Sequence, residues 1–330
     1  MAELTNDYPT LVDLTRAKNA DGTMLQVAPV LMERNPILAH IPWGQCNNGN
    51  SHTSSVETSL PTAYLRTYNE VVAASKGTEV QVTDTLCMMQ QWSEVDAKLA
   101  EHGGDVAGYR ALKARQHISK MSNEAARLIF YGNASTNPRE CTGLSIRYSD
   151  VTAGNARNLI DMGGTGGDNT SIWFLKFGPE SLTGLSAKGV PAGLSREDFG
   201  RVAAETHGSQ VGNIIKYKEM FGWDFGLSLP DWRFSARVAS IDVSDLRARA
   251  GAEADLIDGM ISAYHALETT EGVRIYCNRT LAAQLDRQRR DAVQAGGMLG
   301  YVDVDGKAIP SFRGLPMYVC DAILNTEAAV

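Results

Sequence analysis

The chain has 330 residues, 43% of them hydrophobic, and its 31 Lys and Arg against 38 Asp and Glu leave a formal net charge of -7. That supports a substantial core, in one large domain or in two or three lobes, and excludes disorder along the whole length. The acidic balance disfavours a domain that grips nucleic acid through phosphates, no secretory leader is expected from the residues that follow Met1, and no run of about 18 apolar residues occurs in the sequence.

Residues 1 to about 48 read as an arm with short helices at Thr10–Ala17 and Thr23–Arg34, the second kinked by Pro29 and ended by Asn35-Pro36. From about Asn50 to Asp96 the signal is extended, with Ser51–Glu57, Ala63–Tyr68 and Glu79–Leu86 rich in Thr, Val and Tyr. The alternation Glu79-Val80-Gln81-Val82-Thr83 predicts a half-exposed strand, and Ser75-Lys76-Gly77 is the predicted turn between two long strands. A polar, two-sided hairpin of this length is a poor independent folding unit and gains stability by lying on something else.

A long helix is predicted over 105–131, with Asp105 as N-cap and Gly132-Asn133 as the stop. Its apolar or small positions (Val106, Tyr109, Leu112, Ile118, Met121, Ala125, Leu128, Ile129) keep near-helical spacing, and its other face carries Arg110, Lys113, Arg115, Lys120 and Arg127. At 1.5 Å per residue it spans roughly 40 Å, a spine rather than one member of a bundle.

Beyond it the order is mixed. Strands are predicted at Ser171–Phe177, Lys216–Phe225, Phe234–Ile241, Val273–Cys277 and Leu315–Cys320. Helices are predicted at 254–267 and at Arg279–Asp291, the latter capped by Asn278, and Asp305-Gly306 is a hairpin turn. The class is α+β in irregular order.

Residues with chemical potential form no constellation. Gly163-Gly164-Thr165-Gly166-Gly167 is followed by Asp168 and Asn169 without the lysine of a phosphate loop, and reads as a flexible hairpin loop. The six histidines make no H-x-H or H-E-x-x-H pattern. No Ser completes G-x-S-x-G. The five cysteines are scattered, as expected of free thiols in a reducing cytoplasm. The run Arg287-Gln288-Arg289-Arg290, flanked by acids, reads as a solvated helix face, and the five tryptophans as core or interface residues. The expectation is a protein without catalytic, cofactor or metal site. A missed hydrolase or transferase pocket is the competing reading, and it would show as a small discrete oligomer.

The succession of arm, hairpin, spine helix, mixed domain and terminal strand resembles the Hong Kong 97 type of capsid fold. Local stretches are similar to major capsid proteins of epsilon-15-like short-tailed phages. These include Ser93-Glu94-Val95-Asp96, Phe130-Tyr131-Gly132-Asn133, Thr142-Gly143-Leu144, Arg147-Tyr148-Ser149, Trp223 to Asp242, Arg274 to Thr280 and Gly314-Leu315-Pro316. The resemblance implies an N-arm at 1–48, an E-loop hairpin at 49–96 and a peripheral domain at 97–240 with the spine at 105–131. It further implies an axial domain at 241–312 and a return strand with tail at 313–330.

The resemblance also implies hexamers and pentamers closing into an icosahedral head around double-stranded DNA, in the virion and assembled in host cytoplasm. A portal is an implied partner, with room for a decoration protein. With only about 45 residues before the hairpin, a separate scaffolding protein is expected. Lys76 holds the place where some phage shells carry a cross-linking lysine, although a solubilising charge is the commoner use of such a position. A cellular encapsulin-like compartment shares the fold and is the nearest alternative.

Overall fold

The computed structural model describes residues 35–102, 104–207, 210–248, 256–290, 299–304 and 306–330. The predicted helices at Thr10–Ala17 and Thr23–Arg34 lie outside the described residues. In chain order the elements are α1 (Ile37–His40), β1 (Trp43–Gln45), β2 (Ser51–Ser59), β3 (Thr78–Thr85), β4 (Cys87–Asp96) and α2 (Ala97–His102). The long α3 (Val106–Tyr131) precedes α4 (Leu144–Arg147), β5 (Leu159–Asp161), β6 (Asn169–Lys176) and β7 (Thr183–Ser186). Next come β8 (Ser195–His207), β9 (Gln210–Ser228), β10 (Ala236–Asp242), α5 (Val243–Ala248) and α6 (Leu256–Ala266). Last are β11 (Val273–Cys277), α7 (Arg279–Arg290), β12 (Leu299–Val304), β13 (Lys307–Phe312) and β14 (Leu315–Val319). The class is α+β, as the pattern predicts.

Two compact units share the chain. The described part of the first is Met88–Ala125 with Gly193–Asp224, and the second comprises Arg34–Cys87, Ala126–Ala192 and Phe225–Val330. The division falls inside α3 and β9, so each of these elements contributes to both units.

The second unit is built on a seven-stranded sheet in the order β12-β13-β14-β11-β6-β10-β5. β6 is buried from Asn169 to Leu175, and its period-2 alternation sorts two different faces. Ile172 and Phe174 join Val238 of β10, Ile275 of β11, Met260 of α6 and Leu281 of α7 in the main hydrophobic core. On the opposite face Trp173 lies beneath the Arg237 guanidinium, 5.0 Å from the ring centre, and beside Phe130 and Tyr148. Asn278 caps α7 by accepting from the Leu281 amide at 2.9 Å, as predicted, while its own amide group donates to Thr170 and Asn325.

That second face carries a polar knot. The buried Glu327 carboxylate accepts from the Tyr131 hydroxyl, the Ser171 hydroxyl and the Arg237 guanidinium, the last at 2.9 Å. Its backbone exchanges two hydrogen bonds with Asn169 at the start of β6. Burial and the neighbouring Glu327 charge push the Tyr131 phenol far above its ordinary range, so it remains a donor. A buried carboxylate is tolerated only when paired and hydrogen-bonded, and here three donors meet it.

Asp105 caps α3 through the Gly108 amide, at 2.8 Å. At the other end Gly132 and Gly143 meet back to back. A Cβ on Gly132 would stand 2.4 Å from the Cys141 carbonyl oxygen, and one on Gly143 would stand 2.7 Å from the Gly132 nitrogen. The Gly132 that stops the helix is therefore also required by the returning chain.

Four expectations are corrected. The predicted strand at Ala63–Tyr68 and the turn at Ser75-Lys76-Gly77 are instead parts of one irregular loop, Leu60–Gly77, with its turn at Thr67–Glu70. Among the described residues, strand propensity there finds no facing strand and no buried side, and Pro61 lacks the amide a ladder needs. Gly163–Gly167 is not a hairpin loop, because β10 lies between β5 and β6. The strand expected from Phe234 begins at Ala236, after a 3₁₀ turn at Trp232–Phe234 capped by Asp231. Finally, β8 and the first residues of β9 form a long hairpin that the sequence reading lacks.

Two outcomes follow. Glu327→Ala leaves Arg237 buried without its partner, and is expected to cost about 3–5 kcal/mol in denaturant unfolding of the unassembled subunit. His40 is held at a pKa of about 4, below its usual 6.5, by burial and by the Arg274 charge, and its Nδ1 lies 2.7 Å from the Tyr276 hydroxyl. The unfolded chain therefore binds more protons than the native one between these values. Stability is fully present above about pH 6.5 and is lost as pH falls toward 4. His40→Gln should flatten thermal stability across that window, and an unchanged acid slope would count against the assignment.

Candidate assembly surfaces

Among the described residues β2 and β3 form a sheet only with each other, from Ser51 opposite Thr85 to Ser59 opposite Thr78, with a bulge between Glu57 and Ser59. Threonines bridge the strands, with hydroxyls 3.2 Å apart at Thr53 and Thr83 and 2.9 Å apart at Thr58 and Thr78. Glu57 stands directly opposite Glu79, a like-charge pairing that costs stability. Val80 and Val82 are exposed, so the ribbon has no core of its own.

The connecting loop extends this condition. Every residue from Leu60 to Lys76 is exposed. Leu65 is 102% exposed, Val71 97% and Tyr68 95%, and Leu60 is 76% exposed. Loops of this length inside a compact protein are uncommon unless they serve a function. Burying each such apolar side chain against a partner is worth about 1.5–3 kcal/mol before the cost of ordering it. Lys76 is exposed but stands two residues before β3, not at the turn.

The base of the ribbon is firmly held. Arg147 of α4 reaches the buried Asp84 carboxylate at 2.6 Å and the carbonyls of Leu227 and Thr142 at 3.1 and 3.4 Å. The Leu86 amide donates to Asn50, and the Asn47 carboxamide brackets the Thr53 peptide on both sides. The Cys87 thiol donates to the Phe225 carbonyl at 3.2 Å, and its pKa is pushed far up by hydrogen bonding with Cys141 and by burial. All five cysteines are buried free thiols.

In the first unit, charge is organised internally. The buried Glu219 of β9 accepts from Arg110 of α3 and from Arg196 of β8, and Arg110 also binds Asp198 at 2.6 Å. The Arg110 bond holds the Asp198 carboxyl below its ordinary range. Burial would raise Glu94, yet hydrogen bonds and charge from Lys216 and Lys218 hold it below its usual value. Lys218 also lies 4.3 Å from the ring centre of the exposed Trp92, whose neighbour is the exposed Phe199 at 5.6 Å. β8 has register breaks between Asp198 and Gly200 and between Ala204 and Thr206, irregularities that discourage another strand from adding to its edge.

The basic face predicted for α3 is substantially neutralised. Arg110 turns to acids, Lys120 pairs with Glu124 at 3.5 Å, and Arg127 pairs with Glu140 at 3.4 Å. In α7, Arg287 is exposed while Gln288 is buried, so that run is not one solvated face. At the glycine cluster, amides are used within the protein, Gly163 donating to Asp161 and Gly164 to the Ser240 carbonyl. Among the described residues no three His, Cys, Asp or Glu side chains converge as a metal site, and no helix is long and apolar enough to cross a membrane. Trp173 is core, whereas Trp92 is a surface residue. The Arg147 clamp escaped sequence reading, because its partners lie 63 and 80 residues away.

Arg147→Ala removes the cation facing Asp84 and is expected to loosen the ribbon selectively. Amide exchange over residues 51–85 should accelerate with little change in β6, and equal acceleration in both would indicate general unfolding instead.

A model of the family "Major capsid protein GP7" matches residues 19–330. None of the curated proteins matches the chain. A structure of bacteriophage Epsilon15 is similar with a TM-score of 0.77 and 30% identity, covering 100% of this chain and 99% of that one. The SrpI encapsulin of Synechococcus elongatus PCC 7942 gives 0.47 at 10% identity, covering 70% of this chain and 95% of its own. The bacteriophage JBD30 capsid gives 0.47 at 9% identity, covering 90% and 96%. The mixed α+β architecture is of the Hong Kong 97 capsid type, and the chain belongs to the GP7 family of bacteriophage major capsid proteins.

Proposed function

We propose that this major capsid protein assembles as hexamers and pentamers into an icosahedral head enclosing double-stranded DNA, and that the β2–β3 ribbon is an E-loop laid over a neighbouring subunit. The observation that carries this is the Leu60–Gly77 loop, which displays Leu65, Tyr68 and Val71 almost fully to solvent at the end of a ribbon without a core. In this reading residues 1–48 form an arm, 49–96 the E-loop, 97–240 a peripheral domain, 241–312 an axial domain and 313–330 the return strand and tail. The compact units cut across these assembly segments, because α3 and β9 each belong to both units.

The shell role is structural, without catalysis, and it is carried out in the virion after assembly in host cytoplasm. A net charge of -7 and a spine whose arginines are largely paired within the subunit suit a container that does not grip its contents. The proposed partners are further copies of the chain, a portal and a separate scaffolding protein, with a decoration protein as an outer accessory.

The test replaces Leu65, Tyr68 and Val71 together by serine. Exposed positions contribute within about 0.5 kcal/mol to subunit stability, so the subunit should melt as before. Shell yield in negative-stain electron microscopy should collapse. Normal shells from this variant would overturn the E-loop reading, and uniform shells from the unaccompanied wild-type chain would remove the need for a scaffold.

A further inference from the structure

We propose that Asn48-Gly49 is a site of spontaneous deamidation and isoaspartate formation, placed at the root of the β2–β3 ribbon. It is the one Asn-Gly step in the sequence. Asn48 is exposed, and its carboxamide meets no partner among the described residues. The Gly49 amide likewise donates to no described group, and a Cβ built on Gly49 would have nothing within 4 Å. The nucleophile and the carbon it attacks are therefore both unhindered. Three other asparagines differ: the Asn47 carboxamide is bound on both sides by the Thr53 backbone, and Asn158 and Asn278 are buried with their amide groups donating.

The Gly49 nitrogen attacks the Asn48 side-chain carbonyl carbon, and a C–N bond forms as the bond to the amide nitrogen breaks. Ammonia leaves, carrying the proton of the Gly49 amide. Water then opens the cyclic imide at either carbonyl, giving aspartate or isoaspartate without oxidant or cofactor. The isoaspartate product has the chemistry recognised by isoaspartyl carboxyl methyltransferases.

Either product adds a negative charge at this turn. Isoaspartate also lengthens the backbone where the Asn48 and Ser51 peptides exchange hydrogen bonds of 3.1 and 2.8 Å. Gly49 sits there at φ +55, a conformation suited to a tight turn leading into a hairpin strand. The change thus acts at the point where β2 begins, and it does not rest on the shell reading.

The experiment incubates the purified full chain at mildly alkaline pH and follows two readouts in time. These are the mass shift of amide-to-acid exchange in the peptide containing residues 47–50, and labelling by an isoaspartyl methyltransferase with S-adenosylmethionine. Asn48 is expected to convert several-fold faster than any other asparagine. Asn48→Gln, whose longer side chain cyclises poorly, should abolish the methyl label in that peptide. Earlier conversion at another asparagine, or equal labelling of the Asn48→Gln chain, would overturn the assignment.

Discussion

A two-stranded ribbon exposed on both faces cannot bury its own apolar side chains, and the rest of this subunit is arranged around that fact. Ladder hydrogen bonds satisfy the backbone of β2 and β3, and threonine hydroxyls bridge the strands. Neither supplies the burial that stabilises a sheet of three or more strands. The Leu60–Gly77 loop adds further apolar surface with no cover among the described residues. In the proposed reading a partner covers this surface in the shell, and that partner is another copy of the chain.

The load such a ribbon would transmit is met at its root. Arg147 joins the end of β3 to the carbonyls of Thr142 and Leu227, spreading one guanidinium over three segments of the second unit. Glu327 does the reverse, gathering donors from α3, β6 and β10 onto one tail carboxylate. Buried ionic groups of this kind contribute less to net stability than to fixing one arrangement. For a subunit that must repeat identically around a shell, a single arrangement is the more useful property.

The parts of the fold legible in the sequence were those set by local chemistry. Asp105 and Gly132 bracket the spine as capping preferences require, and Asn278 caps α7. The strand at β11 follows from its β-branched and aromatic run, and the hairpin of β12 and β13 from its turn residues. What was missed depended on pairing and contacts that local residue preference does not announce. β8 carries Ala203, Ala204 and Glu205, which favour helix, and becomes a strand because β9 pairs with it. The extended reading of Ala63–Tyr68 failed for the opposite reason, since no strand among the described residues faces it. The Arg147 and Glu327 networks were likewise invisible, because they join positions 63 to 196 residues apart.

In the E-loop reading, the Leu60–Gly77 loop is covered only on assembly. Hydroxyl-radical footprinting of Leu65, Tyr68 and Val71, read in intact shells and in dissociated subunits, tests it most directly. The prediction is heavy oxidation of these side chains in the free subunit and strong protection in the shell. Equal oxidation in both states would contradict it, leaving the loop an exposed surface feature and moving the intersubunit contact elsewhere.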